Sequence, residues 1–228
     1  MAAPRPAVSH EVFLEAALAI ADEFGPDALT TRTLGKAVGL DATTVYRYFG
    51  SKDVLLGSLF DHVTGKALAV IDPAAQTPRE RVRAIVAAYR QVFFDHPSVA
   101  RLNGHMADML QAGNGTAPNT MQMSGRVVAA LRDMGLSGAC LVEAYQMVES
   151  FAVGAVMLDS GARSNNMTVR VLRYRAFGTG THELETLGHD EAETLSDTAF
   201  WRGIDAVLDA VEAMVAPDHP SPSPVGRA

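Results

Sequence analysis

The sequence predicts an all-α protein in two parts, a small N-terminal three-helix unit and a larger C-terminal helical body. Three observations carry that expectation. Phe13, Ala16, Ala17, Ile20 and Phe24 recur at i, i+3, i+4, i+7 and i+11, the spacing of one apolar helix face. Two short helical stretches then pivot on Gly39, and a capped third helix opens at Ser51. Beyond these, long apolar-periodic runs are delimited by Pro78, Pro97 and Gly135-Leu136, as consecutive helices of a bundle are. The expected division is 1–56, 57–216 and a Pro/Ser-rich disordered tail at 217–228.

Met1 to Val8 is Pro- and Ala-rich and reads as a disordered arm, with Arg5 a solvated tail residue. Ser9 caps the first helix, Glu11 sits in its first turn, and Gly25-Pro26 stops it. Thr31 is placed to cap the second helix, whose apolar positions are Leu34, Ala37 and Val38. Gly39 supplies the left-handed residue that ends that helix, and Leu40 drops into the core of the turn. Asp41 caps the third helix through the free amides of Thr43 or Thr44. This is the layout of a helix-turn-helix, whose second helix enters the DNA major groove.

The faces of that second helix sort by spacing. Val45 and Phe49 lie four apart and face inward, while Thr43 with Arg47 and Thr44 with Tyr48 form outward rows. Ala42, Thr43 and Thr44 stand at the helix N-terminus, where methyl groups meet thymine, and Arg47 suits a guanine edge or a phosphate. Gly50 closes the helix, Ser51 caps the next, and Lys52 lies at the positive end of that helix, placed for a phosphate.

Over Leu29 to Leu56 the chain resembles the N-terminal domain of tetracycline-repressor (TetR) family regulators. The residues that carry the resemblance are Thr31, Val38, Gly39, Asp41, Thr44, Tyr46, Tyr48, Phe49, Ser51, Lys52 and Asp53, and Leu29-Thr30-Thr31-Arg32 is similar to the tetracycline-repressor branch itself. Two positions depart from it: Gly35 stands where Ala is usual and Asp41 where Ser is common, which lowers helix propensity or alters a cap. The resemblance implies binding of double-stranded operator DNA through Thr31, Arg32, Ala42, Thr43, Thr44, Tyr46, Arg47, Tyr48 and Lys52. It also implies a small-molecule effector that lowers DNA affinity, and a homodimer.

Composition agrees with that division of labour. The 228 residues carry a formal charge of −7, which does not suit a protein that coats nucleic acid. Between Ala28 and Lys52 the balance reverses, with Arg32, Lys36, Arg47 and Lys52 opposed only by Asp41. No uninterrupted apolar run reaches the roughly 18 residues of a membrane span, and Met1 to Val8 lacks the apolar core of a signal peptide. With a single Cys and no internal disulfide, the expected setting is a reducing cytoplasm.

In the second part, the helix opened by Ser51 runs through Leu59, Phe60 and Val63 towards Val70, and Asp72-Pro73 and Thr77-Pro78 bracket a loop. The next helix carries Val82, Ile85, Tyr89, Val92, Phe93 and His96 on one side. After Pro97 another is expected through Val99, Leu102, Met106 and Met109, then a Gly/Asn loop from Gln111 to Pro118, then a helix with Val127, Val128, Leu131 and Met134. Ser137 opens the longest apolar stretch, to Leu158, apolar on more than one face as a helix buried on two sides must be. Gly161 to His189 reads as a mobile connection with one helical turn around Val169 to Phe177, its arginines a solvated charge run. The last helix, near Thr198 to Val215, has a large stripe of Phe200, Ile204, Val207, Val211 and Met214 and a small one of Gly203, Ala206, Ala210 and Ala213. Here too the order and lengths of the helices are similar to the TetR regulatory domain, whose two dimerising helices correspond to Ser137–Ser160 and Thr198–Val215.

The interior of this body is expected to gather Tyr89, Phe93, His96, Asn103, His105, Met106, Met109, Met147 and Glu149. Met and aromatic side chains make an adaptable apolar wall, and His, Asn and Glu orient a polar group, so the expected effector is mostly apolar with a few polar handles. The competing reading is a helical enzyme or a metal- or redox-responsive protein behind a helix-turn-helix. Its support is thin: there is no H-E-x-x-H, no Gly-rich phosphate loop and no G-x-S-x-G, and His182 and His189 lack partners at metal spacing. Cys140 near a helix start reads as a buried, inert thiol. No catalytic residue, metal or cofactor is expected.

Overall fold

The computed structural model describes residues 9–104, 106, 117–163 and 189–215. The expected N-terminal arm with Arg5, His105, Met109, most of the Gly/Asn loop, the helical turn around Val169 to Phe177 with its arginines and His182, and the C-terminal tail lie outside the described residues.

Helix α1 (His10–Phe24) starts where Ser9 Oγ accepts the Val12 amide at 3.4 Å. It buries Phe13, Leu14, Ala17, Leu18 and Ala21, so the inward face lies slightly to one side of the expected stripe. Phe24, at its end, is 64 % exposed, because Gly25 at φ 83° turns the chain away before a partner is reached. After a 3₁₀ turn (Pro26–Ala28), α2 (Thr31–Val38) is capped one residue earlier than expected. Thr30 and Thr33 form a reciprocal capping box, with Thr30 Oγ1 accepting the Thr33 amide at 3.0 Å and Thr33 Oγ1 accepting the Thr30 amide at 2.9 Å. Thr31 is therefore the first helical residue. Leu34 and Gly35 are buried, and Ala37 is exposed.

Gly39 ends α2 in the left-handed region at φ 71° and ψ 29°, and the Leu40 amide returns to the Gly35 carbonyl at 2.8 Å. Gly35 has a reason the sequence hides: a Cβ there would lie 2.7 Å from the Leu40 carbonyl oxygen. The turn is drawn so tightly against α2 that only glycine fits without a shift. Helix α3 (Ala42–Phe49) follows, its Val45 and Phe49 buried as their spacing predicts. Phe49 meets Phe13 edge-on at 5.9 Å between ring centroids.

Helix α4 (Lys52–Ala69) opens with Ser51 Oγ accepting the Val54 amide at 3.1 Å. It is buried on several sides, from Leu55 to Ala67, and packs against α1 and α3 at one end and the body helices at the other. Helix α5 (Pro78–Asp95) has a second capping box, in which Glu80 accepts the Thr77 and Gln76 amides. Those backbone bonds, Thr77 first, hold the Glu80 carboxyl below its ordinary range. The expected line of Val82, Ile85, Tyr89, Val92 and Phe93 is buried. After Pro97 the chain makes the short α6 (Pro97–Ala100), turns at Arg101 and Leu102, and is helical again at Asn103, Gly104 and Met106.

Helix α7 (Pro118–Asp133) ends at Gly135, φ 102°, with Leu136 buried as expected. Helix α8 (Gly138–Arg163) is the long apolar one, and Cys140 near its start is half-buried rather than buried. Its Gly138–Leu158 stretch is long and apolar enough by composition to cross a membrane, which a search for an unbroken apolar run misses because Glu143 and Glu149 interrupt it. Helix α9 (His189–Ala213) begins nine residues before the expected start. Leu208 takes the buried place expected for Val207, which is half-buried. Helices α5 and α9 are laced by charge: Arg79 reaches Asp209 at 2.8 Å and Glu212 at 2.9 Å, and Arg83 reaches Asp205 at 3.0 Å while lying over the Trp201 ring.

Candidate nucleic-acid interface and interior cavity

The outward residues of α2, α3 and the first turn of α4 gather at one end of the molecule. Arg32, Thr43, Tyr46, Arg47, Tyr48 and Lys52 are exposed, and Thr31, Ala42 and Thr44 are half-buried between them. All nine residues marked from the sequence thus stand on this three-helix end. Their side chains are not equally free. Asp41 Oδ1 accepts the Thr44 amide at 2.8 Å and Oδ2 accepts the Thr44 hydroxyl at 2.9 Å, so the Thr44 hydroxyl completes the cap. Those two bonds to Thr44, the backbone one first, hold the Asp41 carboxyl below its usual range. Tyr48 lays its ring on Phe13 at 4.7 Å, and Lys52 Nζ donates to the Asp27 carbonyl at 3.3 Å. Tyr46 is 59 % exposed, an aromatic that contributes little to the core.

The body encloses a cavity of about 170 Å³. Five segments wall it: α4 with Phe60 and Thr64, α5 with Ile85, Val86 and Tyr89, the chain after α6 with Asn103 and Met106, α7 with Thr120, Met123, Ser124 and Val127, and α8 with Tyr145, Val148, Glu149, Ala152 and Val153. Four of the nine residues expected inside, Tyr89, Asn103, Met106 and Glu149, line it. Three lie elsewhere among the described residues. Phe93 is fully buried behind Tyr89, ring centroids 4.6 Å apart. His96 ends α5, where its Nδ1 pairs with Asp22 of α1 at 2.7 Å. Met147 packs against the core without reaching the cavity wall. Phe93 lies one turn and His96 two turns beyond Tyr89, while Met147 shares a turn with Val148 and occupies another side of it, distinctions that helical period alone blurs.

Polar atoms are concentrated at two places on that wall. Asn103 Nδ2 donates to the Tyr89 hydroxyl oxygen. Burial pushes the Tyr89 phenol well above its ordinary value, so it keeps its proton and remains a donor. At the second place, Tyr145 Oη lies 2.9 Å from Glu149 Oε1 and 3.0 Å from Ser124 Oγ. A phenol has one proton, and the carboxylate is the stronger acceptor. Tyr145 thus donates to Glu149 and receives from Ser124. Burial, ahead of the Glu149 charge, raises the Tyr145 phenol.

A contact behind the cavity had no counterpart in the sequence reading. Asp61 of α4 is 6 % exposed, yet its carboxylate is fully used. Oδ1 accepts the Thr120 amide at 2.9 Å and the Thr120 hydroxyl at 3.0 Å, and Oδ2 accepts Asn119 Nδ2 at 3.0 Å. Asn119 also donates to the Asp61 carbonyl at 3.1 Å. Ala117 has no side chain that can cap α7, so Asp61 supplies that cap from another helix. The signal was a Pro-Asn-Thr helix start preceded by a residue that cannot cap, together with a lone carboxylate among apolar neighbours in α4.

Residues 13–59 match the model of bacterial regulatory proteins of the tetR family, and residues 72–215 match the tetracyclin repressor-like C-terminal domain. The HTH-type transcriptional repressor DrrR1 of Streptomyces coeruleorubidus is 27 % identical over 213 residues, which is 92 % of this chain and 66 % of that protein. The chain spans a similar share, 63 % and 61 %, of two further curated relatives. Among solved structures, a possible TetR family transcriptional regulator from Streptomyces coelicolor A3(2) is 26 % identical with a TM-score of 0.71, over 90 % of this chain and all of that one. The Streptomyces coelicolor TetR family protein ActR, solved in complex with (S)-DNPA, shares the fold at 21 % identity with a TM-score of 0.69, over 92 % of this chain and 100 % of that one.

Proposed function

The chain belongs to the tetR family of bacterial regulatory proteins, and from that premise we propose that it is a ligand-responsive transcriptional repressor, not an enzyme, which binds a palindromic operator as a homodimer in the cytoplasm. The observation that carries the reading is the position of α4. Its Phe60 and Thr64 wall the cavity, and its first turn follows the reading helix after the two residues Gly50 and Ser51. The DNA-reading part is taken as 1–56 and the regulatory part as 57–216, so the boundary falls inside a continuous helix, and a displacement at one end of a rigid rod reaches the other.

Asp61 gives that coupling a mechanical form. A molecule entering the cavity presses on α7 through Met123, Ser124 and Val127, and the Asp61 hook makes α4 follow the N-terminus of α7. The two reading helices of a dimer then no longer match successive major grooves. By linkage, operator DNA weakens the effector by the factor with which the effector weakens DNA. In this reading Thr43 and Arg47 meet base edges with the Ala42 and Thr44 methyls, and Thr31, Arg32, Tyr46, Tyr48 and Lys52 hold phosphates. DrrR1 is named as a repressor and ActR is solved with a bound small molecule, which supports the same division of labour here.

The dimer is supported by an apolar surface that one chain leaves open. Val142, Met157 and Leu158 of α8 are 57, 45 and 43 % exposed, and Ala206, Ala210 and Ala213 of α9 face outward. Two such helices per subunit form a four-helix interface with close approach along the alanines. Sedimentation as a monomer at micromolar concentration would overturn it. The DNA reading is tested by fluorescence anisotropy on the sequence beside the gene of this protein. Lys52→Ala should weaken specific and non-specific DNA alike and lower the salt slope by about one unit. An unchanged slope and affinity would remove Lys52 from the interface.

A further inference from the structure

The cavity read above as the effector site also constrains the charge of what enters it, and the inference below rests on that reading. Glu149 is exposed at the cavity mouth, and its Oε1 is held by the Tyr145 hydroxyl. Among the described residues no cation pairs with it, and no Lys, Arg or His stands among the described residues of the wall. A carboxylate with an open oxygen beside an aromatic ring, Tyr145, is a receptor for positive charge. Among the described residues of the wall, none would offer a counter-charge to an anionic group set against the carboxylate.

We propose that the cavity takes a one- or two-ring apolar molecule bearing a protonated amine, with the ammonium on Glu149 beside Tyr145 and the ring body between Phe60, Tyr89 and Met106. The size follows from the volume: about 170 Å³ is close to engineered cavities of roughly 150 Å³ that hold benzene, and the open mouth leaves room for a larger end. The buried Tyr89 hydroxyl, which accepts from Asn103, has its own proton to offer. A carbonyl or ether oxygen on the ring body satisfies it. The ligand class is therefore an aromatic amine that also carries a hydrogen-bond acceptor, and carboxylates and phosphorylated molecules are selected against.

The test uses three probes with one ring body and different charge: 2-naphthylmethylamine, 2-naphthylmethanol and 2-naphthoate, titrated calorimetrically into the full-length protein. The amine should bind about three- to tenfold more tightly than the alcohol, and the carboxylate most weakly. Glu149→Gln, an exposed and nearly isosteric change, should abolish the advantage of the amine and weaken the alcohol far less than the amine. A carboxylate as tight as the amine, or an amine preference that survives Glu149→Gln, overturns the proposal. If the alcohol binds and the amine gains nothing over it, only the charge inference falls. If none of the three binds, the cavity is not an effector site and both readings fall together.

Discussion

The reading head and the body are held together by contacts of very different range. In the head, Ser9, Thr30, Asp41 and Ser51 each cap a helix by accepting the amide three residues ahead. In the body, the start of α7 is capped by a carboxylate 59 residues away along the chain, and α5 is pinned to α9 by arginines whose partners lie more than 120 residues on. Local caps form with any packing and leave the outward faces of α2 and α3 free for DNA. The long-range contacts exist only when the bundle is assembled, and the Asp61 one ties α4, the helix that continues from the head, to a wall of the cavity. A ligand that displaces one of them therefore changes the relation of two parts without unfolding either.

The sharpest break in that contrast is Asp61. Asp61→Ala leaves the half-buried Thr120 amide and hydroxyl without their acceptor, while Asn119 keeps only the Asp61 backbone carbonyl, a loss of about 3 kcal/mol in a urea melt. Asp61→Asn keeps one acceptor oxygen and should fold. It should bind operator DNA and the cavity probes, yet show weaker release of DNA by ligand. Full coupling in the folded Asn variant would mean that the signal travels elsewhere.

Next in size is Gly35→Ala, which probes the head alone. The added Cβ falls 2.7 Å from the Leu40 carbonyl oxygen, so the turn between α2 and α3 must open. About 2 kcal/mol of stability and most operator affinity should be lost, while probe binding in the body stays. A variant as stable as the wild type and equal to it on DNA would show that the turn yields without cost.

Thr30→Ala should cost about 1 kcal/mol through the lost capping box, and Thr31→Ala much less. Equal losses would return the cap to Thr31. The smallest effect belongs to the tie between α1 and α4, where Glu15 accepts from Lys66 at 2.6 Å and lies 2.8 Å from His62 Nε2. The Lys66 bond, the strongest influence, lowers the Glu15 carboxyl below its ordinary 4.5. A lowered folded-state value contributes stability above the unfolded value and loses it as pH falls through the folded one. Wild type should therefore exceed Glu15→Gln slightly in melting temperature at pH 6, with the gap closing below about pH 4.5. A gap that persists at pH 3 would rule out this pair as its source.

Periodicity, caps and glycine by themselves determined the helical class, the helix-turn-helix and the exposed face of α3, because each depends on residues three or four apart. The same rules misplaced the cap at Thr31 by one residue, since Thr30, Thr31 and Thr33 can all serve and only the path of the entering chain chooses. Tertiary structure alone decided that Gly35 is needed for a close approach, that Tyr89 and Asn103 line a cavity while Phe93 and His96 do not, and that Asp61 caps α7. Each of those facts depends on which helix lies opposite. A side chain's spacing tells which face of its own helix it occupies, but its partner is set by the packing of all the others.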